Sequence, residues 1–239
     1  MLAAFLLLLA QAAPVSGGAS LKETSVASFE FLDPGTLTPL VRGEERTLAG
    51  GSTVVKKTSY RTATGLTPLQ TEECRYNGRT LVVATYHYED AGSGEMVDLK
   101  VASAKAQVTY RASHEDHARR ATIDWTPTSH TGKELPDLIL HNWERIGRGD
   151  NVYFELYVPF RLETIGFRAI RAEASIREPQ ATKPVTIRIE PRNWFIRQVA
   201  PSIAFTFDAA IMPPHLVRYD GPSPVDIHGE RNRKVVIRF

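Results

Sequence analysis

The amino-acid sequence predicts a mainly β protein, built as one large curved antiparallel sheet (an open barrel or half-barrel) with one amphipathic helix packed against it. Three observations support this fold class. Short runs with an apolar residue at every second position recur along the chain, as in half-buried strands. Gly and Pro residues separate these runs at the spacing of sandwiches and barrels. One segment follows the three- and four-residue spacing of a helix instead.

The stretch from Val152 to Ile176 carries the longest strand pattern. Even-numbered residues from Val152 to Val158 fall on one face and are apolar, and odd-numbered residues from Tyr153 to Tyr157 fall on the other. A second alternating run follows Pro159, which cannot donate to a strand ladder and therefore marks an edge, a bulge or a bend. We expect a pair of long strands here, to which the rest of the sheet is added.

Further alternating runs lie on both sides of this pair. They are Phe29–Leu32, Thr53–Tyr60, Leu81–Glu89, Val97–Val101, Ala106–Tyr110, Ala121–Trp125, Val185–Glu190, Ile203–Asp208, His215–Tyr219 and Lys234–Phe239. Leu81–Glu89 is apolar or aromatic on both faces, which favours a central position in the sheet. Gly50-Gly51 predicts a tight hairpin turn before Thr53, and the cluster from Asp220 to Pro224 predicts another turn.

The segment from Glu134 to Gly147 is the one with helical periodicity. Its apolar residues are Leu135, Leu138, Ile139, Trp143 and Ile146. Pro136 suits a first helical turn and Gly147 suits the residue after the last one. A single amphipathic helix must bury its apolar stripe, and the concave or open face of the sheet is the natural place. The charges on its polar face are mixed, which is not typical of helices that lie on a membrane.

The N-terminal residues predict export. Leu2–Ala13 is apolar and uncharged and ends on Ala10-Gln11-Ala12, which has the form that signal peptidase accepts. The run is too short to cross about 30 Å of hydrocarbon as a helix. No Lys or Arg precedes Lys22, so an apolar strand or anchor is the alternative. We expect a signal peptide and short linker over 1–20, one β-rich domain over 21–239, and a periplasmic or secreted protein of a Gram-negative bacterium.

The charge and cysteine content of the chain bear on its partners and on its cellular compartment. The chain has 29 basic and 27 acidic residues, and its arginines alternate with apolar residues along strands, so nucleic acid is not an expected partner. Cys74 is the sole cysteine, which excludes an intrachain disulfide and fits a bacterial periplasm better than a disulfide-stapled secreted scaffold. Free cysteines tend to be small buried apolar groups, and we expect Cys74 to be unreactive.

No catalytic or metal-binding motif is complete. In His114-Glu115-Asp116-His117 the two histidines are three residues apart, not four as in H-E-x-x-H, and the segment falls between two strands where a polar turn belongs. Prolines on both sides of Ser223 exclude a nucleophile elbow. Arg148-Gly149-Asp150 follows the predicted helix, where glycines reverse the chain. The sequence therefore predicts no catalytic residue, metal ligand or cofactor, and a hydrolase or metal enzyme using His114 and His117 is a minor alternative.

The second half of the sequence resembles a known group of proteins. The segments PRNWFIRQVAPSIAFTFD, LVRYDGPSPV and VVIRF, after a β meander and one helix, are similar to uncharacterised secreted proteins of Gram-negative bacteria described as a domain of unknown function. Tyr219-Asp220-Gly221 matches the family pattern of a tyrosine-any-glycine turn before the last strand. The resemblance covers roughly Thr53 to the C-terminus. The order of elements is also similar to the half-barrels of periplasmic lipoprotein and lipid carriers, which implies an apolar cleft for an acyl chain.

The functional hypothesis from the sequence is a non-enzymatic periplasmic binding or carrier module for an apolar, lipid-like ligand. The candidate ligand-binding residues are Trp143, Phe154, Leu156, Phe167, Phe205 and Phe207. Taken singly, each of them is more often a simple core residue than a ligand contact. The alternative is an outer-membrane-associated β-barrel or structural protein, because Val235, Ile237 and Phe239 resemble the closing strand of such barrels. Peripheral association with the outer membrane is left open.

Overall fold

The computed structural model describes residues 20–172, 181–227, 230 and 233–239 of the 239-residue chain. The apolar N-terminal run and residues 173–176 of the longest strand pattern lie outside them. Within the described residues, fifteen strands form one sheet and three short α-helices accompany it. The prediction of a mainly β protein with one large, open antiparallel sheet is confirmed.

The first half of the chain is an antiparallel meander of eight strands. They are β1 Lys22–Leu32, β2 Pro39–Gly50, β3 Thr53–Thr62, β4 Gln70–Asn77, β5 Val83–Asp90, β6 Met96–Ala102, β7 Lys105–Arg111 and β8 Arg119–Asp124. Each strand pairs with the next one along the chain. The Gly50-Gly51 hairpin between β2 and β3 forms as predicted, and Gly51 has the positive φ of 60° that such a turn requires.

The second half adds seven strands and the helices. The strands are β9 Ser129–His130, β10 Val152–Val158, β11 Glu163–Ala172, β12 Pro184–Pro191, β13 Ile203–Asp208, β14 His215–Pro222 and β15 Lys234–Arg238. The helices are α1 Leu135–His141, α2 Trp143–Gly147 and α3 Trp194–Val199. Strands β10 to β15 form a second antiparallel meander, and the short β9 pairs with β10 in parallel.

The two meanders meet in the middle of the sheet, where β1 pairs with β15 through Phe31 and Ile237. The described part of the chain therefore starts at the centre of the sheet with β1, runs out to the edge strand β8, crosses to the opposite edge at β9 and returns strand by strand. One hydrophobic cluster runs through both halves.

The sheet curls strongly, because its two edge strands are neighbours in sequence. Four residues separate Asp124 at the end of β8 from Ser129 at the start of β9, and such a link spans at most about 18 Å. The Arg119 guanidinium of β8 donates to the Phe160 carbonyl just beyond β10, at 2.6 Å. Edges β8 and β9 are nevertheless not hydrogen-bonded to each other in the described chain. The result is an open barrel.

Helices α1 and α2 fill the concavity of this sheet. Leu135, Leu138 and Ile139 of α1 and Ile146 of α2 are buried in the common core. The sequence predicted one helix over 134–147, whereas the structure has two. Asn142 divides them, because its side-chain amide donates to the Leu138 carbonyl at 3.0 Å and competes with the regular ladder.

Helix α3 was not predicted at all. Trp194, Phe195 and Ile196 have no apolar periodicity that could reveal a helix of six residues. The local signal is Asn193, whose side-chain oxygen accepts a hydrogen bond from the Phe195 amide at 2.9 Å and caps the helix.

Strand β10 departs from its predicted alternation at one residue. Tyr157, expected on the solvent face, is buried because its ring packs edge-on against Trp125, with centroids 6.4 Å apart. Trp125 lies in the link between the two sheet edges, so the curl of the sheet covers Tyr157. Pro159 begins a 3-10 turn, Pro159–Arg161, that closes the predicted β10–β11 hairpin.

Two long strands, β2 and β4, were not predicted because their apolar alternation is interrupted by charged residues. Glu45 on β2 and Glu72 on β4 stand at positions that point into the barrel, where an apolar residue would be expected. This interruption locates the candidate site described below.

Tyr219-Asp220-Gly221 was predicted as a turn, and the structure corrects this. The three residues lie inside strand β14, and the chain turns only after Pro222. The Tyr219 hydroxyl donates to the Pro222 carbonyl at 2.7 Å, which places its ring across Gly221. A Cβ atom at Gly221 would come within 2.5 Å of that hydroxyl. The glycine is required by the tyrosine that covers it.

We therefore expect Gly221→Ala to lower the free energy of unfolding by about 1–3 kcal/mol, because the methyl group would displace the Tyr219 ring from a packed site. Urea unfolding monitored by circular dichroism measures this. The control is Gly147→Ala, which has no heavy atom within 4 Å and should leave stability unchanged or slightly raised. Equal effects of the two substitutions would contradict this role of Tyr219.

Candidate functional site

The six apolar residues named from the sequence lie in or against the packed core. Their contacts are Trp143 with Phe207 (ring centroids 5.4 Å apart), Phe154 with Phe167 (6.1 Å) and Phe205 with Tyr219 (5.2 Å), while Leu156 is half-buried. The structure thus brings four of them together as two pairs.

A different surface covers part of the inside of strands β2 to β4, where several inward positions are polar. Glu45 of β2 pairs across to Thr58 of β3, and Thr58 pairs across to Glu72 of β4. In the neighbouring row Lys56 of β3 stands opposite Cys74 of β4. Because every second residue of a strand points the same way, all five face the concavity.

Residues at the start of α1 contact these strand residues from inside the concavity of the sheet. The Lys133 ammonium lies 2.8 Å from the Glu45 carboxylate and 3.3 Å from Glu72, and the Asp137 carboxylate lies 2.6 Å from the Lys56 ammonium. Lys56 also approaches Glu45 at 3.7 Å. We call these five residues the ionic cluster. It joins α1 to three strands of the first meander.

Three tyrosines satisfy the remaining acceptors of the ionic cluster. The hydroxyls of Tyr60 and Tyr86 donate to the two oxygens of Glu72, at 2.7 and 2.9 Å. The Tyr76 hydroxyl donates to Asp137 at 2.7 Å. Buried charges are stable only when they are paired and fully hydrogen-bonded, and these tyrosines supply the necessary donors.

The surroundings keep the ionic cluster charged despite its burial. Burial alone would raise the pKa of Glu45, but Lys133 and Lys56 outweigh it and lower the pKa to about 2 from an ordinary 4.5. Burial would likewise lower the pKa of Lys133, but Glu72 and Glu45 hold it well above its ordinary value. Asp137 and Glu45 raise the pKa of Lys56 in the same way. Each charged group of the ionic cluster therefore stays ionised because oppositely charged groups lie next to it.

Glu134 ties the start of α1 to the edge strand β9. Its carboxylate accepts from the amide and the hydroxyl of Thr131, both at 2.7 Å, and lies 3.1 Å from Nδ1 of His130. Burial alone would raise the pKa of Glu134, but the bonds from His130 and Thr131 hold it below its ordinary value. The Thr-x-x-Glu spacing is that of a capping box, but the Thr131 hydroxyl donates to the Glu134 carboxylate and caps no backbone amide, and the helix begins only after Glu134.

The same contacts argue against nucleophilic chemistry at Cys74. The thiol lies 3.8 Å from Glu134, and Glu134 in turn contacts His130, so the carboxylate stands between the thiol and the imidazole. A thiol nucleophile needs a neighbouring base or cation that favours the thiolate. Here burial, and then the charge of Glu134, raise the pKa of Cys74 far above its ordinary value. The predicted burial of Cys74 is confirmed.

The His114–His117 segment forms the predicted turn between β7 and β8 and is exposed. His114 Nε2 lies 3.2 Å from the Ala91 carbonyl, and the Ser113 hydroxyl donates to Asp116. In the described part of the chain, no group of three or more His, Cys, Asp or Glu side chains is placed to hold a metal ion.

A cavity of about 350 Å³ opens beside the ionic cluster. Its lining residues are Val41, Tyr60, Arg61, Thr62, Leu69, Gln70, Asp90, Gly92, Ser93, Asp226 and Ile227. Tyr60 belongs to both the cavity wall and the surroundings of the ionic cluster. It lines the cavity, its hydroxyl donates to Glu72, and the Lys133 ammonium lies 5.9 Å from its ring centroid. None of the six apolar candidates named from the sequence lines this cavity.

The polar end of the cavity is held rigidly by Gln70. Its side-chain amide donates to Asp90 at 2.9 Å and to the Asp226 carbonyl at 2.8 Å, and Asp90 accepts in addition from the amides of Gly92 and Ser93. The Gln70 side-chain oxygen is buried and has no hydrogen-bond partner within the described residues.

Sequence reasoning missed both the ionic cluster and the cavity. Glu45, Lys56 and Glu72 look like solvent-facing strand residues until their pairing register is known. The one local signal was Thr131-Gly-Lys-Glu134, a capping-box spacing directly before the apolar run of α1. It would have placed Lys133 at the helix start, although not its partners.

Comparison with known proteins adds no relative, since no family model, curated protein or solved structure matches the chain. No helix within the described ranges is long and apolar enough to cross a membrane.

Lys56 and Lys57 provide a matched test of the ionic cluster, because they are adjacent on β3 and face opposite ways. The Lys56 side chain is 10% exposed and bonded to Asp137, whereas Lys57 is 55% exposed and pairs with Glu73. We expect Lys56→Met to cost about 3–5 kcal/mol of unfolding free energy, because it leaves Asp137 without an ammonium partner and Glu45 with Lys133 alone. Lys57→Met should cost less than about 1 kcal/mol. Chemical unfolding measures both, and similar losses would contradict the buried network.

Acidification tests Glu45 directly. Its pKa is depressed in the folded protein, so its stabilisation is present above pH 4.5 and is lost as the pH falls towards 2. This lowering of the Glu45 pKa corresponds to about 3 kcal/mol of unfolding free energy. We expect Glu45→Gln to be less stable than the wild type at neutral pH. Between pH 4.5 and pH 2 its free energy of unfolding should fall less than that of the wild type. Urea unfolding at a series of pH values measures both effects. Glu44→Gln, on the opposite face, should keep the wild-type slope, and a wild-type slope in Glu45→Gln would contradict the assignment.

Proposed function

We propose that the protein is an exported, non-enzymatic binding module that holds a small amphiphile in the cavity beside the ionic cluster. The ligand has an apolar body and a neutral or cationic head with hydrogen-bond donors. The cavity carries this proposal, and the signal-peptide-like N-terminus supports its location in the periplasm or outside the cell.

The size and walls of the cavity favour an apolar ligand body. About 350 Å³ lies at the small end of the range for small-molecule sites. Val41, Leu69 and Ile227 supply aliphatic walls, and the Tyr60 ring closes one side. Burial of an apolar chain against such walls contributes roughly 25 cal/mol for each Å² removed from water.

The polar end of the cavity favours a donor head group. Asp90 and Asp226 line it, and Arg61 is the one basic residue among its lining residues. An anionic head would meet like charge, whereas an amine, amide or hydroxyl could donate to these groups.

The surroundings of the cavity support binding rather than catalysis. The ionic cluster behind Tyr60 is fully paired and fixes the wall, and the thiol of Cys74 is buried with a raised pKa. A rigid wall reduces the ordering cost of binding.

The proposal is tested with an alkyl amine and the alkyl carboxylate of the same chain length, by calorimetry on the purified chain. The amine should bind more tightly than the carboxylate. Leu69→Trp, which fills the cavity, should weaken amine binding by roughly tenfold or more, since the apolar contact with the chain is lost.

The control is Leu66→Trp, in the same loop but exposed and outside the cavity lining, which should bind like the wild type. Native mass spectrometry of protein from its own host should show a bound amphiphile that Leu69→Trp lacks. No binding of either probe together with no co-purified ligand would overturn the proposal, as would an equal loss in Leu66→Trp.

A further inference from the structure

The outer face of the second meander carries a dense group of arginines around one carboxylate. The Arg168 Nε donates to Glu190 at 2.8 Å, Arg188 lies 3.2 Å from it and Arg197 lies 3.6 Å from it. Three guanidinium groups thus share a single negative charge. Burial alone would raise the pKa of Glu190, but Arg168 and its neighbours hold it below its ordinary value, so the carboxylate is charged and the group still carries a positive excess.

A fourth arginine extends this positive surface. The Arg192 guanidinium lies over the ring of Tyr153, 5.2 Å from its centroid, and its side chain crosses the strand beside Gly166. Arg192 is exposed, as is Tyr153. A stacked guanidinium keeps its N–H groups free to point outward, which suits recognition of phosphate.

Two large aromatic side chains project directly beside these arginines. Trp194 and Phe195 begin α3, and they are 55% and 66% exposed with ring centroids 4.0 Å apart. Asn193 fixes the start of this helix and Arg197 fastens it back to the Pro191 carbonyl at 3.2 Å, so the ring pair is presented from an anchored element. An exposed aromatic pair of this kind is unfavourable in water unless it has an apolar or interfacial partner.

The end of the sheet that carries α3 also carries another exposed ring. Strands β11 and β12 are antiparallel, and Pro191 at the end of β12 pairs with Phe167 near the start of β11. Helix α3, which follows β12, therefore lies at the same end of the sheet as the turn that precedes β11. Phe160 stands exposed in that turn, and its carbonyl is held by Arg119. Aromatic side chains interspersed with arginines therefore mark this end.

We infer that this end of the protein docks peripherally on a membrane surface that contains anionic phospholipid. The docking surface consists of Arg168, Arg188, Arg192, Arg197, Trp194 and Phe195. The rings enter the interface between headgroups and acyl chains, where Trp is favoured, and the arginines bind lipid phosphates. The two rings lie against each other and together form a compact exposed apolar surface. This inference does not depend on the ligand proposed for the cavity.

The test is sedimentation of the full chain with phosphatidylcholine vesicles, with and without phosphatidylglycerol. The wild type should bind the anionic vesicles, and its affinity should fall with added salt. The double variant Trp194→Ala/Phe195→Ala should weaken binding by roughly tenfold or more. Arg188→Gln and Arg192→Gln should each weaken it by about fivefold.

The matched control is Ile211→Ala/Met212→Ala, which removes an exposed apolar pair at the opposite end of the sheet, next to the start of β12. It should bind like the wild type. All variants share the same N-terminal residues, so a difference between the two double variants reports on the docking surface. Circular dichroism should show the same fold in each, because the replaced side chains are exposed.

Absence of vesicle binding by the wild type would overturn the inference, as would equal losses in the two double variants. Binding of single-stranded DNA that depends on the same residues, without binding to vesicles, would assign the surface to nucleic acid and would also overturn it. Either result leaves the amine-binding test of the cavity unaffected.

Discussion

The structure depends on the ion pair between Lys56 and Asp137 at the centre of the curled sheet. Lys56 belongs to β3 of the first meander, and Asp137 belongs to the helix that the chain reaches only after it has left the far edge of that meander. Lys56 is buried whereas Asp137 is partly exposed, so it is above all the Lys56 ammonium that is stable in this place only beside its carboxylate partners. Lys133 repeats the arrangement with Glu45 and Glu72. The sheet and the helix are therefore mutually required, and the apolar side of α1 and α2 is oriented towards the second meander as a consequence.

This arrangement also connects the architecture to the two proposed surfaces. Tyr60 holds Glu72 of the ionic cluster on one side and lines the cavity on the other, so the wall of the ligand site is as rigid as the helix contact behind it. On the far side of the barrel, Glu190 gathers arginines on the outer face, where water screens them and their positive excess is available to a partner. The ionic cluster inside the barrel, with three carboxylates and two ammonium groups, thus fixes the fold. The arginines on the outer face, which outnumber their carboxylate partner, form the proposed docking surface.

Sequence patterns predicted the sheet wherever the interior is apolar. Strands β6 and β7 alternate cleanly because their inward residues pack in the common core. Strands β2 and β4 could not be predicted, since Glu45 and Glu72 occupy inward positions that are justified only by Lys56 and Lys133 in distant segments. The divided helix has a local cause instead, because the Asn142 side-chain amide donates to the Leu138 carbonyl only four residues earlier. Places where local pattern and global fold disagree are expected at functional or strained sites, and here one of them, Glu72, is bonded to Tyr60, which lines the cavity.

The most direct test of the central claim is a double-mutant cycle on Lys56 and Asp137. The variants Lys56→Met, Asp137→Leu and the combination of both are unfolded in urea at neutral pH, and the coupling free energy is taken from the four stabilities. If the pair joins the helix to the sheet, each single variant is strongly destabilised, the double variant recovers part of the loss, and the coupling is about 2 kcal/mol or more. Losses that add to within about 0.5 kcal/mol would contradict the account, because the two charges would then not depend on each other.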